Sequence, residues 1–371
     1  NPDNPDASQV PVEPSSVYIV DDVAGTVTVR PGAKITLTGD ASDYRIIVSG
    51  SADRVPGAEN NTVEITLKGF QSDRAPQKTE SGSGSGTSGT TGSEGQDTSG
   101  TGGENQSGND NPNGADTENE GQGSDTGNLD ADESGNTSGT GVNARAKEDG
   151  GSAIALQDNA EVILYLEGTN EVKGGAGVAA IEVPEGNSLT IAQKEGSSNG
   201  RLTAVASGVN SDTIGSGAAI GGNAGQNSGS ITINSGTIEA AVESDAQGSG
   251  AAIGGGANGS AGAITIKDGT VTATSRGDGA AIGGGTRGGG GTITIENGKV
   301  EATATGAGAS IGGGNAGAGS TVTVTGGEVK ADANIGGGEG ATLQGSLTVR
   351  GTGTSVSLVK GSLSELVGGN I

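Results

Sequence analysis

The sequence predicts an all-β parallel β-helix, a solenoid of stacked coils. Three observations lead there: a Gly-rich motif recurs at nearly constant spacing, short β-branched runs accompany each copy, and no stretch shows a helical period. The motif is Ala-Ile-Gly-Gly at Ile220, Ile253 and Ile282, Ser-Ile-Gly-Gly-Gly at Ile311, and Asn-Ile-Gly-Gly-Gly at Ile335. The intervals are 33, 29, 29 and 24 residues. Each motif is followed by an Ile-Thr-Ile-like run at 231–233, 264–266, 293–295, 322–324 or 347–349. After a Gly turn comes a third run, at 237–240, 270–273, 299–302 and 328–331. Three short strands in about thirty residues make one coil.

A three-residue strand buries almost nothing alone. Stacked in register about 4.8 Å apart, like strands pair every backbone group and line up like side chains. Alternation then turns Ile231 and Ile233 inward with Thr232 outward, and Val271 and Ala273 inward with Thr272 outward. Ile253, Ile282 and Ile311 are expected in a single column. Gly clusters serve the corners, where backbone passes close to backbone.

Four segments follow from composition. Residues 1–14, beginning Asn1-Pro2-Asp3-Asn4-Pro5-Asp6, read as a linker. Residues 15–70 hold β-branched runs bounded by Gly, Asp, Asn or Pro, and are expected to form N-terminal coils. Residues 71–146 form an acidic insertion rich in Gly, Ser and Thr. Its stretch 79–142 lacks Lys and Arg and has too little apolar surface to offset ordering entropy, so disorder is expected. Residues 147–371 carry the repeats.

Composition also excludes functions. The 371 residues include 77 Gly but no His, Cys, Met or Trp. That removes imidazole and thiol catalysis, Cys/His zinc sites and disulfides. Three Tyr and one Phe cannot fill a thick enzyme-like core. A net charge of -25 disfavours nucleic acid and anionic membrane surfaces. No apolar run approaches the roughly 18 residues a spanning helix needs, so membrane insertion is not expected.

The segment Ala160-Glu161-Val162-Ile163-Leu164-Tyr165-Leu166-Glu167-Gly168-Thr169-Asn170-Glu171-Val172, then Ile181-Glu182-Val183-Pro184-Glu185-Gly186-Asn187-Ser188-Leu189-Thr190-Ile191, leads into the first Gly-rich repeat. With the Ala-Ile-Gly-Gly-Gly units, residues 150–350 resemble bacterial extracellular right-handed parallel β-helix proteins of the pectate-lyase-like superfold, often labelled carbohydrate-binding or adhesin-like. The resemblance implies a right-handed solenoid, secreted or cell-wall attached, within a longer surface protein. Gly368-Gly369-Asn370-Ile371 reads as the start of another unit, so an excised module is expected.

Function must sit on outward positions. The third run offers a ladder of Glu239, Thr272, Glu301 and Lys330. Carboxylates two coils apart would lie roughly 9–10 Å from each other, within the range for inverting glycosidases. The competing reading is a solvated face with Glu301 and Lys330 paired, and neither catalytic residues nor an enzyme is expected. The middle run offers two ranks of outward residues: Ser230/Thr232, Ala263/Thr265, Thr292/Thr294, Thr321/Thr323 and Ser346/Thr348. In register these form a grid of about 4.8 by 6.7 Å, suited to a crystalline polysaccharide or to ice. Thr also favours exposed strands for its β-propensity alone. No Asp-x-Asp-x-Asp-Gly loop is present, so no metal or other cofactor is expected. The expected function is a non-catalytic extracellular stalk or adhesin module that meets cell-wall, host or plant polysaccharide through its Ser/Thr face. A dedicated carbohydrate-binding module is the alternative, followed by a polysaccharide lyase or hydrolase and an ice binder.

Overall fold

The computed structural model describes residues 17–74, 151–207, 215–243 and 248–360, and the backbone of 365–366. Residues 1–14, and the insertion at 71–146 apart from its first four residues, lie outside the described residues. The described chain is a parallel β-helix without helices, its strands stacking in three columns.

The first column starts at Thr26–Val29 and ends at Ile335–Gly336. Its inward ladder is unbroken: Val27, Ile46, Ile154, Ile181, Ile220, Ile253, Ile282, Ile311 and Ile335 are successive register partners. The second column carries two inward ladders. One passes from Val162 through Leu189, Ile231, Ile264, Ile293 and Val322 to Leu347. The third alternates larger and smaller residues, as in Val271 and Ala273 against Val300 and Ala302. All of these side chains but Val27 are buried. The core is thus a bundle of ladders, each adding one aliphatic side chain per coil. Burying each Ile contributes about 1.5–3 kcal/mol.

Two features depart from the expected plan. Tyr18–Asp21 pairs antiparallel with Thr26–Val29, so the first of the expected N-terminal coils is a capping hairpin and parallel stacking begins at Thr26. Only four residues separate these strands, too few for a crossover to a parallel neighbour. The second and third columns also belong to one sheet. The eleven-residue strand Val63–Asp73 runs round the corner between them and pairs with both Glu161–Glu167 and Thr169–Gly174. It also carries the N-terminal unit to Asp73 rather than to residue 70.

Asn170 occupies an inward position at that corner, in the ladder continued by Leu202 and Ile238. It is fully buried yet satisfied: its Oδ1 accepts from the Phe70 amide at 2.9 Å, and its Nδ2 donates to the Arg201 carbonyl at 3.0 Å. A buried amide in an apolar ladder is tolerated only with such partners.

Near the first column the chain doubles back at the Ile-Gly pairs of Ile220, Ile253, Ile282 and Ile311. Within a coil the Ala251 amide donates to the Gly255 carbonyl at 2.8 Å, and Ala280 to Gly284 at 2.9 Å. Side chains stitch neighbouring coils here. Ser216 Oγ accepts from the Gly250 amide at 3.0 Å, Ser249 Oγ from Gly279 at 2.7 Å, and Asp278 Oδ1 from Ala307 at 3.1 Å.

Candidate functional site

The outward face of the second column gathers every residue of the expected grid. Its second rank is a run of six threonines, Thr190, Thr232, Thr265, Thr294, Thr323 and Thr348, each the direct partner of the next. The first rank is Ser188, Ser230, Ala263, Thr292, Thr321 and Ser346. Ala263 is its one gap. The rank positions are exposed or half-exposed, while the intervening Ile, Val and Leu are buried. Ladder pairing fixes the spacing: about 4.8 Å between coils and about 6.7 Å between ranks.

Among the described residues, none of these eleven hydroxyls has a protein hydrogen-bond partner. The corners of the same coils behave differently. There Ser228 Oγ accepts from Gly262, Ser260 Oγ from Gly289, and Thr286 Oγ1 donates to the Ser249 carbonyl. These three corner hydroxyls serve the fold, and those of the two ranks are left for water or a ligand.

Ser188 and Thr190 escaped the sequence reading because their coil lacks the Ala-Ile-Gly-Gly motif. Ser188-Leu189-Thr190-Ile191 nevertheless matches the later Ser-Ile-Thr-Ile pattern with Leu in place of one Ile. The face also extends to an aromatic. Tyr165 is the register partner of Ala192, two residues beyond Thr190, and its ring carries Lys194 Nζ at 4.6 Å from the centroid. A polar groove of about 440 Å³ borders the first rank, lined by Ser188 and Ser230 together with Glu161, Glu185, Asn187 and Asn227.

In the second candidate ladder both carboxylates are ion-paired. Glu239, Thr272, Glu301 and Lys330 are successive partners, as expected. Glu239 is ion-paired with Arg201, and Glu301 with Lys330 at 2.6 Å. The Lys330 ammonium holds the Glu301 carboxyl below its usual range, and Glu301 in turn raises Lys330. Held below its usual range, the Glu301 carboxyl is not prepared to keep a proton at neutral pH, as a general acid must. Near the N-terminal end, Asp40, Asp73 and Glu171 line a hollow of about 250 Å³, where Lys173 bridges Asp73 and Glu171 at 3.4 and 3.0 Å. Among the described residues no three acidic side chains converge as a metal site would require.

Fold and surface together define the class: a parallel β-helix whose second column bears two registered ranks of hydroxyls. Comparison with family models, curated proteins and solved structures returns no match.

Proposed function

We propose that this chain is a non-catalytic, extracellular repeat module, a rigid surface stalk or adhesin element that contacts polysaccharide through its Ser/Thr face. One observation carries the reading: eleven outward hydroxyls in two registered ranks, none bonded to protein among the described residues. A hydroxyl both donates and accepts, so such a lattice suits a polymer that repeats donors and acceptors at fixed intervals. Each bond contributes little, about 0.5–1.5 kcal/mol net, and the affinity comes from their number. The paired carboxylates Glu239 and Glu301 weigh against a hydrolase.

Co-sedimentation of the chain with insoluble polysaccharides tests the proposal, using Thr294→Asp/Thr323→Asp as the comparison. Retention that the double variant abolishes supports it. Retention on nothing, or retention indifferent to those changes, leaves the face without a ligand and overturns it.

A further inference from the structure

We infer that the face reads the amide repeat of its polymer, and that the ligand is a sheet-forming glycan of 2-acetamido sugars. The inference rests on the polysaccharide reading above and names the class of polysaccharide. The second rank runs unbroken from Thr190 to Thr348, each threonine paired directly with the next. Its spacing along the axis is therefore that of a chain of N–H···O=C bonds, about 4.7–4.9 Å. That translation belongs to planar amides bonded head to tail, whatever molecule carries them. Sheets of 2-acetamido glycans are joined by the same amide chains, so their strands repeat at the same distance. Glycans joined through hydroxyls alone have no amide ladder to impose it.

Mismatch decides between them. A lattice differing by roughly half an ångström per step drifts by about 2.5 Å from Thr190 to Thr348, which exceeds the tolerance of a hydrogen bond. Matched lattices keep all six coils in contact. The glycan chains then lie along the strand direction, one chain per coil, and each meets the hydroxyls of both ranks except over Ala263, where Thr265 alone is met. Side-chain choice agrees with this. The second rank is threonine at all six positions, which presents a methyl beside each hydroxyl, as an acetamido group presents a methyl beside its polar amide.

The test compares retention of the whole chain on crystalline chitin, on the same chitin after deacetylation, and on cellulose of equal surface area. About 1 M salt shortens the screening length to about 3 Å, which suppresses attraction between an amine polymer and a chain of net charge -25. Retention on chitin at least tenfold above both other surfaces is expected. The Thr265→Val/Thr294→Val/Thr323→Val variant should lose about tenfold or more of that retention at an unchanged melting temperature. Should that variant fold poorly, Thr294→Asp carries the same readout. Equal or better retention on cellulose or on the deacetylated surface overturns the amide inference and leaves the polysaccharide reading standing. Retention on no polysaccharide overturns both.

Discussion

Gly283 adopts φ near +139°, and a Cβ built on it would fall inside van der Waals contact with the Gly312 carbonyl oxygen of the next coil. Gly221, Gly254 and Gly312 repeat both features. Gly283→Ala should therefore cost at least about 2 kcal/mol, from backbone strain and overpacking together. Gly289→Ala, whose Cβ would meet nothing nearer than 3.5 Å, should be close to neutral; chemical denaturation of both variants checks the pair. Asp158 shows a different dependence. Ser51 and Ser49 donate to its carboxylate at 2.7 and 3.0 Å and hold its pKa below the usual 3.8. A depressed folded pKa adds stability that is complete above the unfolded value and disappears as pH falls through the folded one. Asp158→Asn keeps a residue that tolerates the φ of 58° found there. Wild type should melt above this variant at pH 7, and the gap should close below pH 3.8.

At the scale of one strand, each inward residue supports the coils on both sides. Ile253 lies fully buried between Ile220 and Ile282, so Ile253→Ala should destabilise by roughly 2–5 kcal/mol. Thr294→Val, on the opposite side of its strand, should move stability by about 0.5 kcal/mol or less. Equilibrium melts that failed to separate these two would contradict the inward and outward assignment. That assignment was legible from alternation alone, because a strand has a period of two whatever it packs against. The direction of Tyr18–Asp21 was not, since a four-residue run such as Tyr18-Ile19-Val20-Asp21 carries no polarity. The useful signal was the four-residue gap before Thr26, too short for a coil.

For the solenoid as a whole, the informative feature is where the chain leaves it and returns. The Arg74 amide donates to the Lys173 carbonyl at 3.1 Å, and the Gly175 amide to the Gly151 carbonyl at 3.2 Å. The two ends flanking residues 75–150 are thus anchored two residues apart on the following coil. Replacing 75–150 with a short Gly/Ser loop should leave the coils intact and raise the melting temperature, because closing a shorter loop costs less entropy. A lower melting temperature would mean that the segment supports the coils. At this scale Arg45 also reaches Glu182 at 2.6 Å, a nearly buried pair reinforced by Asn223 at 2.7 Å, which ties the coils before the insertion to those after it.

By itself the amino-acid sequence determined the coil, its period and the direction of each repeat side chain, because these depend on alternation and on glycine recurring at fixed intervals. It also pointed to nine of the eleven face hydroxyls. Only the tertiary structure decided which hydroxyls are free, since Ser228, Ser260 and Thr286 look no different from Thr294 until the neighbouring coil places a backbone group beside them. The same holds for Tyr165, which joins the face through register with Ala192 across 27 residues of chain, and for Asn170, whose burial is acceptable because of two partners from other coils. Local pattern sets which way a side chain points; what it meets there depends on residues a full turn away.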